Sequence, residues 1–374
     1  MRKKSLISML IAFSLCALLI GCSDDELGQS GDNFDREAML QNWADNIIIP
    51  GYQTYVDDLK ELNSAVELFT TSPSSDNLNS LRSAWLEANL SWQAVGMFEI
   101  GKAEELTLIN YTNIYPTNTT DLIETIASGN YDLTSVNRQD EQGFPAIEFL
   151  IYGIRDTDQE IIDLFLQETA EQPYKTYLND LADRLETMAQ SVLGDWQNGY
   201  RDTFVNNSGS ESTSSVNKLV NDYIFYYEKH LRAGKIGIPA GVFSSEKSTG
   251  KVEGLYSGNS KELFMAGLQA MQDFFNGKSP NSNLAVEGEG LKSYLDFVNT
   301  VTEGEDLGAL INVQFIAARE KAEMLSENFR TQVGNNNNLM LETYDELQKN
   351  VVNLKVDMLQ SLNIRVDFVD ADGD

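Results

Sequence analysis

The segment Gly143-Phe144-Pro145-Ala146-Ile147-Glu148-Phe149-Leu150-Ile151-Tyr152-Gly153 places one carboxylate inside an apolar run. Pro145 suits the first turn of a helix, where its missing N–H would have no helical partner. Glu148 then follows Ala146 and Ile147 and precedes Phe149, Leu150 and Ile151. A carboxylate so placed is a candidate for burial with a raised pKa, or for binding a hard cation. Its other assignment is a first-turn glutamate that satisfies its own helix N-terminus, and spacing does not separate the two. His230 is the one imidazole, three residues after Tyr227 on an apolar helical face. That position suits a structural histidine, or else a ligand to metal or haem or a proton-transfer group. A di-iron bundle needs two Glu-x-x-His pairs, and the residue three before His230 is a tyrosine, so that site is excluded.

Counts exclude more. With one His and two Cys, a Cys-based zinc site, a His–Cys nucleophile dyad and a two-His metalloprotease motif all fail. The balance of 57 Asp+Glu against 27 Lys+Arg gives a formal net charge of -30. Such a chain repels nucleic acid at long range. The segment Gly234–Gly258, expected to be a loop, holds six glycines but neither G-x-x-x-x-G-K-[ST] nor G-x-G-x-x-G. Tyr256-Ser257-Gly258-Asn259-Ser260 leads into a helix N-terminus, whose backbone donors could hold an anion or simply be capped. No G-x-S-x-G elbow occurs. The ending Asp370-Ala371-Asp372-Gly373-Asp374 is similar to the start of a calcium loop, but the chain stops before a bidentate Glu, so it reads as a solvated tail.

The elements that must position these residues are helical. Tyr52, Tyr55, Leu59, Leu62, Val66 and Phe69 share one face, with Pro50-Gly51 expected to kink or break that helix. Asp76 is the expected cap of a helix carrying Leu78, Leu81, Trp85, Trp92 and Val95. A third stripe runs from Tyr174 to Trp196. After the linker-like Asn206–Ser215, helical spacing resumes with Val216, Leu219, Tyr223, Tyr227 and Leu231. Asn259 and Glu262 have the form of a capping box. Stripes from Ile311 to Phe329 and from Tyr344 to Met358 follow, with the Asn335–Asn338 turn between them. Two-residue alternation appears only at Ile364, Val366 and Phe368. The expected fold is all-α, two packed antiparallel helical bundles at 34–205 and 216–374, joined by the 206–215 linker.

Arg2, Lys3 and Lys4 precede an apolar run from Leu6 to Ile20, too short to span a bilayer as a helix. It ends Leu19-Ile20-Gly21-Cys22, similar to a lipoprotein signal, so residues 1–21 are expected to be removed and Cys22 lipidated. The acidic 22–33 stretch is then a tether, and Ser23-Asp24-Asp25-Glu26 is similar to the export tag of surface lipoproteins. The expectation is an outer-membrane lipoprotein, periplasmic or surface-exposed.

Three blocks resemble the imelysin-like family, also classed as M75 peptidases. The first joins Trp85 and Ala88 to Phe98, Gly101 and Ala103; the second is Gly143, Glu148 and Gly153. The third joins Ile236-Gly237-Ile238-Pro239-Ala240-Gly241 to the run from Tyr256 through Ser257 and Ser260 to Glu262. The resemblance implies two related bundles with a site near their junction, envelope location and a link to iron acquisition. Its hallmark is Gly-x-His-x-x-Glu, a proposed metal element; Gly143 and Glu148 match it, while Pro145 stands in the His position. The family often has Arg where this chain has Asn89 and Glu where it has Gly96. Glu148 and His230 are the candidate metal ligands, with iron, haem or calcium the candidate ligands of the protein. Three roles stay open: a binding component in iron or haem acquisition, a divergent metallopeptidase with Glu148 as ligand or general base, and a surface protein that binds a protein partner.

Overall fold

The computed structural model describes residues 33–167, 173–244, 246–279, 287–302 and 306–367. The leader, Cys22, the tether, Phe368 and the acidic ending lie outside the described residues. From Phe34 onward the chain forms one compact unit. The described residues are helical, and the only pairing of strand type among them is an isolated antiparallel bridge between Lys278 and Glu287.

Asp35 caps the first helix, Arg36–Asn42, by accepting the Ala38 N–H at 2.9 Å. A π-helical stretch, Trp43–Ile48, carries the chain without a break into the helix Ile49–Thr71. Pro50 therefore does not end the helix as expected. It falls just after the wider turn, where the hydrogen-bond ladder is already shifted and a missing donor does least damage. The face Tyr52–Phe69 is buried and packs against the helices Ser75–Val95 and Pro173–Asp195. Ser74, not Asp76, caps Ser75–Val95, because its hydroxyl is the group that reaches the Asn77 N–H.

The Asn206–Ser215 stretch is a closed turn. Ser215 N–H donates to Asn207 O, Asn207 Nδ2 donates to Thr213 O, and Ser214 caps the next helix while fully buried. That helix, Ser215–Phe225, continues as a π-helical stretch Tyr226–Gly237, so the first part of the glycine-rich Gly234–Gly258 region is helix. The helix Leu307–Glu323 packs against Asn337–Val351 and against Ser260–Phe275. The Ile311–Phe329 stripe divides between two helices: Leu307–Glu323 ends before Leu325, and Asn328 caps a new one at Phe329. Asn259 does not form the expected box, since its side chain donates to Glu262 instead of accepting the helix N–H.

Two kinds of contact tie the early and late elements. The Ser260–Phe275 helix packs against Ser75–Val95. Asn42 Nδ2 donates to Gly277 O and Glu289 O, both at 2.9 Å. Two of the buried phenols find carbonyls, Tyr223 on Met271 O and Tyr227 on Leu347 O, which offsets the cost of burying an O–H. At the far end, Ile364 to Asp367 do not form a strand. Asn217 and Asn221, one helical turn apart, bond that segment's backbone at Arg365 and Asp367.

Candidate functional site

The motif segment is anchored at both ends. Gly143 has φ +76°, and a Cβ there would lie 2.2 Å from Thr112 O, so only glycine lets the chain pass that carbonyl. Trp85 Nε1 donates to Phe144 O at 3.0 Å and fixes the first turn. Pro145 is buried in that turn, as its ring geometry favours. The helix Gly143–Glu148 runs on as a π-helical stretch Phe149–Gly153. Arg82 donates twice to Ile151 O, at 3.0 and 2.8 Å, and lies over the Tyr152 ring. It thereby satisfies a carbonyl that the helix end leaves open.

Glu148 is 3% exposed. Its Oε1 accepts the N–H groups of Tyr256 at 3.1 Å and Ser257 at 2.8 Å. The carboxylate therefore does not serve its own helix N-terminus. The anion that the Tyr256 and Ser257 N–H groups hold is this side chain. Burial pushes its pKa up to about 7, against the pull of the Ser257 N–H and hydroxyl and the Tyr256 N–H. The two blocks also meet by packing. Gly153 lies under the Tyr256 ring, where a Cβ would come within 2.3 Å, and Phe149 faces the same ring at 5.4 Å.

Beside this junction lies a buried polar network. Lys235 and Glu253 form an ion pair, each side chain 3% exposed. Lys235 Nζ also donates to Gln93 Oε1 at 2.8 Å. Glu253 Oε1 accepts from Gln93 Nε2 at 3.1 Å and from Asn113 Nδ2 at 2.7 Å. Gln93 Nε2 further donates to Asn89 Oδ1 at 3.0 Å. Burial lowers the Lys235 pKa, and Glu253 opposes it. Ser260 Oγ donates to Glu253 O at 2.6 Å, fixing the carboxylate's backbone. Sequence reasoning missed Lys235, Glu253, Gln93 and Asn113. The available signal was Asn89 and Gln93, two polar residues one turn apart on the face that buries Trp85 and Trp92.

The other family positions serve packing. Phe98 is buried edge-on against Phe274, and Gly101 sits under the Tyr200 ring. Gly96 lies against the Trp92 ring, 3.0 Å from where a Cβ would be, so that position has no room for a glutamate without moving the indole. His230 has Phe225, Tyr226, Lys229 and Lys235 as neighbours, and burial pushes its pKa down to about 4. The structure does not join it to Glu148 in a ligand set.

These residues do not fit a hydrolytic metal centre. Pro145 offers no donor, Glu148 Oε1 is committed to two amides, and Glu253 is committed to Lys235, Gln93 and Asn113. Among the described residues no group of three or more His, Cys, Asp or Glu side chains is placed to hold a metal ion. Nor is any described helix long and apolar enough to cross a membrane.

Solved structures share this architecture. An imelysin-like protein from Psychrobacter arcticum superposes with a TM-score of 0.69 at 17% identity, covering 90% of this chain and 99% of that one. A protein assigned as an iron-regulated protein A precursor from Parabacteroides distasonis gives 0.70 at 18%, covering 88% and 97%. At that identity the likeness is one of fold. In sequence, the iron-regulated protein A of Synechococcus elongatus is 24% identical over 158 residues, 42% of this chain and 40% of that protein's length. The profile of the imelysin family, peptidase M75, matches residues 48–355, which takes in the Glu148 helix, the Tyr256–Ser257 turn and the Lys235–Glu253 pair. The chain belongs to the imelysin family.

Proposed function

We propose that the chain is an envelope protein, anchored through lipidated Cys22, that binds iron or haem in iron acquisition and does not cleave peptides. The observation that carries this is the use made of the motif carboxylate. Glu148 holds the Tyr256–Ser257 turn, and Pro145 fills the histidine position. A metallopeptidase needs several fixed ligands and an open position for water. Here the two buried carboxylates of the junction are spent on amides and on an ammonium. The iron-regulated proteins among its relatives support an iron-linked role. The leader and the acidic tether support an outer-membrane location, periplasmic or surface-exposed.

The test is calorimetric titration of the purified protein with ferric nitrilotriacetate, ferrous iron, calcium and haem, with transcript measurement under iron limitation. Saturable one-site binding of iron or haem, with induction on iron limitation, is the expected result. No binding above a chelator-treated blank together with unchanged expression overturns the proposal. Peptide cleavage by the parent chain that Glu148→Gln abolishes would overturn its non-catalytic part.

A further inference from the structure

The chain has two Asn-Gly dipeptides, Asn198-Gly199 and Asn276-Gly277. An asparagine amide carbon is an electrophile toward the backbone nitrogen that follows it. Glycine in the next position leaves that nitrogen unshielded and the backbone free to turn. Whether the two atoms meet depends on the fold, and the fold treats the two dipeptides oppositely.

Asn276 is held firmly. Its Nδ2 donates to Gln272 O at 2.8 Å and to Asn312 Oδ1 at 2.9 Å, and its Oδ1 accepts from Asn312 Nδ2 at 2.8 Å. The Gly277 N–H donates to Phe274 O at 3.0 Å, and a Cβ at Gly277 would lie 2.3 Å from Gly288 O. Neither group can swing toward the other without breaking this set. Asn198-Gly199 instead lies at the kink where the long helix Pro173–Asp195 gives way, through the π-helical stretch Trp196–Tyr200, to the short helix Arg201–Asn206. Asn198 has left helical dihedrals, at φ −110° and ψ 26°, and Gly199 follows at φ +131°. Both are exposed, and nothing lies within 4 Å of where a Gly199 Cβ would stand. The side chain is held by Asn198 Nδ2 donating to Gly194 O at 2.6 Å, an exposed bond for which water competes.

We propose that Asn198 is a site of spontaneous deamidation and that the product loosens this helix end. The Gly199 nitrogen gives up its proton to base and attacks Asn198 Cγ. The N–Cγ bond forms, the Cγ–Nδ2 bond breaks, and the amide nitrogen takes up a proton and leaves as ammonia. Water then opens the succinimide ring at either carbonyl, giving aspartate or isoaspartate with no change of oxidation state. Either product removes the donor that served Gly194 O. It also adds a carboxylate at a helix C-terminus beside Asp195, where the dipole and that neighbour both oppose it. The kink follows directly on Trp196, which is buried and packed edge-on against Tyr200 and Phe204.

The test incubates the full-length protein at pH 6 and pH 8 and reads the tryptic peptides 185–201 and 262–278 by fragmentation mass spectrometry. Aspartate and isoaspartate are expected to accumulate at residue 198, faster at pH 8, with Asn276 reacting about tenfold more slowly or less. In urea the two sites are expected to react at similar rates, because the difference comes from the fold. Asn198 that stays intact at pH 8, or Asn276 that reacts as fast as Asn198 in the folded protein, overturns the proposal. Asn198→Asp is expected to unfold at least about 1 °C below Asn198→Ala, which loses the same hydrogen bond without gaining a charge. Equal thermal midpoints in those two variants overturn the loosening.

Discussion

Glu148→Gln separates the charge of the motif carboxylate from its hydrogen bonds. The glutamine carbonyl still accepts the Tyr256 and Ser257 N–H groups, so the turn stays latched at every pH. The parent carboxyl has its pKa raised by burial from 4.5 to about 7. Below pH 4.5 both folded and unfolded states are protonated there, and the group is neutral in both. Between 4.5 and 7 the unfolded chain releases its proton and the folded chain keeps it, so stability falls as pH rises. Above 7 the full cost of ionising a buried group is present. At about 1.4 kcal/mol for each pH unit, the parent loses about 3 kcal/mol relative to the variant across that window. The comparison cancels the other titrations. These include His230, whose depressed pKa near 4 acts in the opposite sense by penalising the fold as pH falls below 6.5. The assay is urea unfolding at pH 4.5, 6 and 8, followed by fluorescence of Trp43, Trp85, Trp92 and Trp196, all buried. A parent-minus-variant difference that stays constant within about 0.5 kcal/mol, or grows in the parent's favour as pH rises, refutes the burial account of Glu148.

Lys235→Met leaves Glu253 buried without its cation and is expected to cost about 3–5 kcal/mol in urea unfolding, whereas an exposed pair would cost less than about 1. Gly143→Ala forces a Cβ toward Thr112 O in a left-handed backbone, and is expected to lower the thermal midpoint by several degrees, about 2 kcal/mol or more. An unchanged midpoint in that variant would mean the segment is not held as described. Pro145→His restores the family's motif residue, yet the committed acceptors of Glu148 and Glu253 are expected to leave zinc affinity unchanged by calorimetry. Tight new zinc binding would show that the proline alone closes a metal site.

The helical class was legible because nearly every buried face repeats at three or four residues, as Tyr52 to Phe69 and Tyr174 to Trp196 do. The end signals misled where several capping side chains compete for one turn: Ser74 accepts the N–H that Asp76 was expected to take, and Asn259 turned to Glu262. π-Helical stretches carry no sequence mark, which is why Pro50 looked like a break and Gly234 to Gly237 like loop. At the site, the apolar flanks of Glu148 made burial one of two readings without deciding between them, because its partners lie more than 100 residues away and spacing says nothing about them. Lys235 and Glu253 were illegible for the same reason. Each looks like an ordinary surface charge until the other is placed beside it.

Family resemblance suggested that the site had lost a cation at Asn89 and a carboxylate at Gly96. The structure puts a buried ammonium and a buried carboxylate on other elements, one hydrogen bond beyond the Asn89–Gln93 contact. Asn89 bonds Gln93, and Gln93 bonds both Lys235 and Glu253. If Lys235 stands in for the missing cation, Asn89→Arg adds a second positive charge where one already satisfies Glu253. Two cations against one carboxylate in a buried site are expected to cost several kcal/mol, on the order of breaking the pair outright. Adding Lys235→Met to that variant then removes the surplus charge and is expected to recover at least about half of the loss, because the guanidinium can serve Glu253 in its turn. Urea unfolding of the two single variants and the double variant at pH 7 reads the cycle. A double variant as unstable as the sum of both singles would mean that residues 89 and 235 act separately and that the cation was lost, not moved.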